Sequence, residues 1–130
     1  MKRLVLYLCN GFSESMKRDP NMKEFSFPLT EDEFTRIILN AEFKSVIGHD
    51  NLAECLTKIT GKQILKNRKN ITVTYEDLLL VVSITGRLPE HPTEVDYEGK
   101  VNYCFKRFEK QTTMDLLKSQ EKINEIMEAQ

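Results

Sequence analysis

The chain has no tryptophan, and only two histidines and three cysteines among its 130 residues. Cys9, Cys55 and Cys104 are odd in number, far apart and without a CxxC pair, which argues against a disulfide framework and a zinc knuckle. Each lies in an apolar stretch and reads as a small buried hydrophobe in a reducing, intracellular compartment. Long apolar runs are missing too. Leu4–Cys9 and Leu78–Ile84 fall far short of the roughly 18 residues a membrane span requires, and no secretory leader is recognisable. Glycine is scarce at five, and the P-loop, GxGxxG, GxSxG and HExxH motifs are absent. Charge of neither sign dominates: 19 Lys+Arg against 20 Asp+Glu leave a net charge of −1. No global positive field holds long nucleic acid, so a nucleic-acid ligand has to be small and locally bound.

What remains is a globular composition, 40% hydrophobic and 30% charged, of a length that fits one domain with a short appendage. Lys2–Asn10 is an apolar run of strand length closed by Asn10-Gly11, the pattern of an interior strand buried on both faces. Ser13 is placed to cap a short helix from Glu14 to about Arg18, ended by Asp19-Pro20. Phe25-Ser26-Phe27 reads as a short strand. Thr30-Glu31-Asp32-Glu33 forms a capping box before Phe34, Ile37, Ile38 and Ala41, which recur at helical spacing. Phe43–Ile47 is a further strand. Leu52, Cys55, Leu56 and Ile59 then mark one face of a helix that Gly61 stops. Lys62–Asn70 is polar and basic, and Ile71–Tyr75 and Leu78–Ile84 read as two strands, a hairpin turning at Glu76-Asp77. Thr85–Gly99 is loop with at most a short helix. Val101–Phe108 is the last strand, and from Gln111 onward Leu116, Gln120, Ile123 and Met127 share the face of an amphipathic helix. The class is α/β: a single domain, residues 1–108, with a mixed sheet of about five strands flanked by helices, plus a helical tail, residues 109–130.

Chemistry concentrates at three strand ends. In Val46-Ile47-Gly48-His49-Asp50-Asn51 a glycine and a histidine sit where a helix begins, so free N–H groups and the positive dipole end favour an anion beside a proton donor. The plainer reading is that His49 or Asp50 caps the helix. Asn10-Gly11-Phe12-Ser13 repeats the arrangement, with a simple cap as its plainer reading. Arg87-Leu88-Pro89-Glu90 follows the apolar strand and offers a forked phosphate clamp with a carboxylate three residues on, or else an exposed ion pair. Lys62, Lys66, Arg68 and Lys69 add local positive potential, or form a solvated loop. A metal site is poorly supplied, because no second histidine lies at ligand spacing from His49. His91-Pro92 reads as exposed loop.

These pieces occur in an order that resembles a known family. Leu8-Cys9-Asn10-Gly11-Phe12-Ser13, Val46-Ile47-Gly48-His49-Asp50, Gly61-Lys62-Gln63 with Lys66-Asn67-Arg68, Arg87-Leu88-Pro89-Glu90 and Gly99-Lys100-Val101 look like the motifs of the viral type III anti-CRISPR ring nucleases, which have cellular CRISPR-associated relatives. The resemblance runs from Lys2 to about Phe108. It departs at Gly11 and Pro89, where the family pattern has Asn-Ala-Phe-Ser and Arg-Leu-Glu-Glu, and at Ser15, where asparagine is usual; the tail after Glu109 has no counterpart.

The resemblance implies a cytoplasmic homodimer in a prokaryote or an infected prokaryotic host. The dimer binds cyclic tetra-adenylate, the second messenger of type III CRISPR immunity, and cuts it without metal or cofactor to linear di-adenylate ending in a 2′,3′-cyclic phosphate. It assigns His49 as general acid with Arg87 and Glu90 as its catalytic companions. Asn10, Gly11, Ser13, Ser15, Gly48, Asp50, Lys66, Asn67 and Arg68 become substrate-binding residues. The residue types suit the chemistry: a ribose 2′-hydroxyl attacks its own 3′-phosphorus, and a histidine, whose ordinary pKa is about 6.5, protonates the departing 5′-oxygen. Two rival readings keep the same residues in other roles. A sponge or sensor would hold the ring uncut, with His49 touching phosphate only. An interaction protein would use the C-terminal helix to recruit a partner, with His49 as a cap.

Overall fold

The computed structural model describes residues 5–90 and 92–129, so the expectations for Lys2–Leu4 and His91 lie outside the described residues. Among these residues five strands form one mixed sheet in the order β2-β5-β4-β1-β3. Strand β1 (Val5–Cys9) pairs in parallel with β3 (Lys44–Val46) on one side and β4 (Asp77–Ile84) on the other. Strand β5 (Val101–Lys110) is antiparallel to β4 and to the edge strand β2 (Met22–Leu29). Pro28 falls in β2, at the sheet edge, where a missing N–H is tolerated. The expected α/β class, mixed sheet and C-terminal helix are all present.

The two sheet faces are covered differently. Helices α1 (Glu31–Asn40) and α2 (Asp50–Thr60) pack on one face, where Leu8, Phe34, Ile38, Leu56 and Leu80 are fully buried and Phe34 stacks on Tyr103 at 4.4 Å between ring centroids. The capping box of α1 is formed: the Glu33 N–H donates to Thr30 Oγ1 at 3.1 Å and the Thr30 N–H to Glu33 Oε1 at 3.0 Å. At the other end of α1, Lys62 Nζ donates to the carbonyls of Ile38 and Ala41, at 3.0 and 3.2 Å, so one member of the basic run closes a helix C-terminus. Gly61 ends α2 at φ 75°, in the left-handed region that glycine enters without strain.

On the opposite face Cys9, Val46, Leu79, Val81 and Phe108 are covered by extended chain. Two expectations are corrected here. Instead of a helix from Glu14 to Arg18 there is a single 3-10 turn, Glu14–Met16, followed by extended chain. Instead of a strand hairpin, Ile71–Tyr75 lies across the sheet face: β4 already has a partner on each side and offers no free edge. These two segments bond to each other. The Val73 N–H donates to the Met16 carbonyl at 2.7 Å and the Arg18 N–H to the Val73 carbonyl at 2.9 Å, while Val73 is fully buried. Tyr75 Oη closes the clasp on Asp19 Oδ2 at 2.5 Å, and that bond holds the Asp19 carboxyl below its ordinary range.

The short helix α3 (Glu94–Tyr97) interrupts the long loop before β5. The tail helix α4 (Thr113–Glu128) has no buried residue, and no helix among the described residues is long and apolar enough to cross a membrane.

Candidate functional site

Because β1, β3 and β4 run parallel, the loops after Cys9, Val46 and Ile84 emerge at one end of the sheet. That is where crevices form in such sheets. The three motifs singled out in the sequence are therefore neighbours in space. Asn10 joins two of them: its Oδ1 accepts the Gly48 N–H at 2.9 Å. A β-carbon on Gly48 would lie 3.5 Å from Arg68 Cγ and 3.8 Å from Asn10 Oδ1. What approaches this glycine closely is therefore the protein's own arginine stem and asparagine.

Two cavities meet at the Asn10–Gly48 bond. The first, about 500 Å³, takes in Asn10, Gly11, Ser13 and Ser15 against Lys69, Asn70 and Thr72. Gly11 turns the chain here at φ 119°, a conformation that disfavours any side chain. The Ser13 and Ser15 hydroxyls are exposed and lie 2.9 Å apart, hydrogen-bonded to each other. Ser13 makes no side-chain cap bond; its N–H donates to Met16 Sδ at 3.3 Å. Under the loop, Phe12 packs against Phe108 at 5.7 Å and lies 5.3 Å from Lys106 Nζ. Lys106 is itself held by Glu24 at 2.8 Å and Ser26 at 2.7 Å. Burial pushes the Cys9 thiol up to about 12, a shift that Lys106 only partly offsets. At neutral pH Cys9 is a protonated, buried side chain and no nucleophile.

The second cavity, about 510 Å³, is lined by Gly48, His49, Asp50, Lys66, Arg68 and Glu90, with Leu88 and Tyr97 among its walls. His49 occupies the N-cap position of α2 and its carbonyl accepts the Ala53 N–H at 3.1 Å, yet its imidazole makes no capping bond. The ring is left to the cavity. Lys66 approaches Asp50 at 3.4 Å with both side chains well exposed, a contact of small energetic weight. The cavity thus gathers a titratable imidazole, two cationic side chains and two carboxylates at a helix N-terminus, a set able to bind a phosphodiester and move a proton on it.

Two residues of the sequence-derived set stand elsewhere. Asn67 ties its loop to β3, its N–H donating to the Ile47 carbonyl at 2.9 Å and its Nδ2 to the Ser45 carbonyl at 3.0 Å. Arg87 is exposed and lines neither cavity; its carbonyl receives Lys100 Nζ at 3.5 Å. Lys69, Asn70 and Thr72 are wall residues the sequence motifs do not single out, although Lys69 belongs to the basic run. Tyr97, a lone tyrosine in a charged loop, carries no signal in the sequence at all.

Comparison with known proteins locates the domain. The sequence pattern of the STIV B116-like family matches residues 6–105. The chain is 30% identical over 86 residues to Uncharacterized protein 26 of the Sulfolobus islandicus filamentous virus (isolate Iceland/Hveragerdi), covering 66% of this chain and 73% of that protein. Its fold is similar to that of B116 of Sulfolobus turreted icosahedral virus, with a TM-score of 0.68 at 22% identity over 79% of this chain and 98% of B116. The family match ends before α4 begins.

Proposed function

Starting from the fact that the chain belongs to the STIV B116-like family of archaeal viruses, we propose that it is a metal-independent ring nuclease. In this reading it cleaves cyclic tetra-adenylate to linear di-adenylate with 2′,3′-cyclic phosphate ends and so silences type III CRISPR signalling. One observation carries the reading: His49, Lys66, Arg68 and Glu90 line one cavity at the start of α2, and the Asn10–Gly48 bond joins it to a second cavity bearing Ser13, Ser15 and Lys69. A phosphate-rich ring fits adjoining cavities that each offer cationic side chains better than it fits either one.

The reaction needs little more than positioning and proton transfer. The ribose 2′-oxygen attacks the adjacent 3′-phosphorus and the P–O5′ bond breaks. Glu90 receives the 2′-hydroxyl proton, and His49 gives a proton to the departing 5′-oxygen. The products are a 5′-hydroxyl and a 2′,3′-cyclic phosphate, with no water consumed. Proton transfer of this kind contributes about 10²- to 10⁴-fold, and alignment of 2′-oxygen, phosphorus and 5′-oxygen supplies much of the remainder. Lys66 and Arg68 hold the phosphate and neutralise charge on its oxygens; Arg87, outside the cavity, would have to swing in to join them. The ring's two-fold symmetry matches an isologous homodimer presenting one His49 to each of two opposite linkages.

The test is incubation with cyclic tetra-adenylate and with the same ring carrying 2′-deoxy sugars, in excess chelator, with products resolved by mass. The ribose ring should give di-adenylate cyclic phosphate, and the deoxy ring should bind and remain whole. Cleavage of the deoxy ring would show water to be the nucleophile and overturn the role of Glu90. A bound but intact ribose ring would make the protein a sponge.

A further inference from the structure

A third cavity, about 800 Å³, lies on the helical side of the sheet, between the N-terminus of α1 and the start of β5. Its floor is apolar, from Ile59 and Val101, and its polar lining includes Glu31, Glu98 and Asn102; no lysine, arginine or histidine lines it. Tyr97 is the wall it shares with the His49 cavity. That residue is only 4% exposed, and its hydroxyl forms no hydrogen bond with any described residue. Tyr97 lines both cavities. Burial pushes its pKa upward, with Cys55 and Asp96 adding to the effect, so it stays a protonated donor. A donor in so buried a residue, with no acceptor among the described residues, favours a ligand atom that accepts from it.

The three cavities therefore differ in the charges they offer. The Ser13 cavity presents Lys69, and the His49 cavity sets Lys66 and Arg68 against Asp50 and Glu90 at the start of α2, so both hold cations for a phosphate. The third carries carboxylates at Glu98 and at Glu31, which accepts from Tyr103 Oη at 3.4 Å, and the Tyr97 hydroxyl, over an aliphatic floor. An anion is repelled there. A flat, amino-bearing heterocycle is matched on every count: apolar faces for the floor, an exocyclic amino group to donate to a carboxylate, and a ring nitrogen to accept from the tyrosine.

We propose that this cavity is the base-recognition site of the same ligand, seating an amino-substituted purine while its phosphate occupies the His49 cavity across Tyr97. The inference rests on the nucleotide reading of the His49 cavity, and it makes Tyr97, Glu31 and Glu98 the residues that select adenine.

The full-length protein can be titrated with 5′-AMP, with inorganic phosphate and with purine riboside 5′-monophosphate, which lacks only the 6-amino group. Methyl signals of Ile59 and Val101 report the third cavity, and those of Ile84 and Leu88 the His49 cavity. AMP should move both sets, and phosphate only Ile84 and Leu88. Loss of the amino group should weaken binding by about tenfold, the scale of one hydrogen bond to a charged acceptor. In Tyr97→Phe or Glu98→Ala, AMP should bind more weakly, and in Glu98→Ala the gap between the two nucleotides should close. The proposal is overturned if AMP leaves Ile59 and Val101 unmoved, or if the analogue binds as tightly as AMP. Ring cleavage is scored separately. An uncut ring with a full AMP response would sink the nuclease and keep the base site, and a cut ring with silent Ile59 and Val101 would do the reverse.

Discussion

At the scale of single residues, the site depends on groups that do two jobs. Asn10 lines the first cavity while its Oδ1 fixes Gly48 beside His49. Asn10→Leu strands that N–H and should cost about 1–3 kcal/mol in urea denaturation while also weakening ring binding. His49→Ala should slow cleavage by about 10²-fold or more with ring affinity held within about tenfold, because only the leaving-group proton is lost. A parallel loss of affinity and rate in single-turnover kinetics would make His49 a positioning residue instead. Glu24 carries the pH dependence of the loop beneath. Its burial favours the neutral carboxyl, but the bonds from Lys106 and Ser26 outweigh this and hold the pKa below the ordinary 4.5. A depressed folded pKa gives stability that is present above 4.5 and lost as pH falls through the lower folded value. The melting temperature should drop on acidification below 4.5, and Glu24→Gln should shallow that drop. An unchanged acid slope in Glu24→Gln would show that other carboxylates, such as Asp19 and Glu33, set it.

At the scale of elements, what could be read from the sequence followed from local physics, and what could not depended on neighbours. Helix α2 is legible because Leu52, Cys55, Leu56 and Ile59 repeat on one face and Gly61 ends it; α1 is legible from its capping box. Thr30→Ala removes that cap and should cost about 1 kcal/mol, visible as a fall of a few degrees in melting temperature. Ile71–Tyr75 alternates as a strand does, and it is indeed extended with Val73 buried. Alternation reports a half-buried extended segment, however, and cannot say whether a sheet edge is free to receive it. The same limit governs the site. Parallel strands bring the Asn10, His49 and Glu90 loops to one end of the sheet whatever the details, so these are legible. Whether Asn67 faces a ligand or its own backbone, and whether Arg87 points into a cavity, depends on side-chain direction, which a motif does not encode. The periodicity of helix α4 is legible in the sequence, and none of its residues is buried. Truncation after Gln111 should therefore leave stability within about 0.5 kcal/mol and ring cleavage intact. Lost activity in a folded truncation would make α4 part of the site.

At the scale of the whole molecule, the proposed reaction ties chemistry to assembly. Each chain carries one His49 at one strand end, whereas conversion of a four-nucleotide ring to two di-adenylates requires two cuts on opposite sides. A monomer could do this only by releasing and rebinding a half-cut product, while an isologous dimer aligns one imidazole with each linkage. Calorimetry should give one ring per two chains, and one ring per chain would contradict the shared site. The sharper prediction uses mixed dimers. If wild-type chains are refolded with a large excess of His49→Ala chains, nearly every remaining wild-type chain is paired with a variant. Such a dimer keeps both sets of binding residues but has only one acid, so it should cut one linkage promptly and stall at the other. Linear tetra-adenylate with a cyclic phosphate end should accumulate early, as a species that wild-type dimers hardly show. If the mixture instead yields only di-adenylate, at a rate set by the residual wild-type pairs, the two histidines act together on each cut. Di-adenylate formed in direct proportion to total wild-type chain would show that each chain completes the reaction alone and that the two-fold site is not needed.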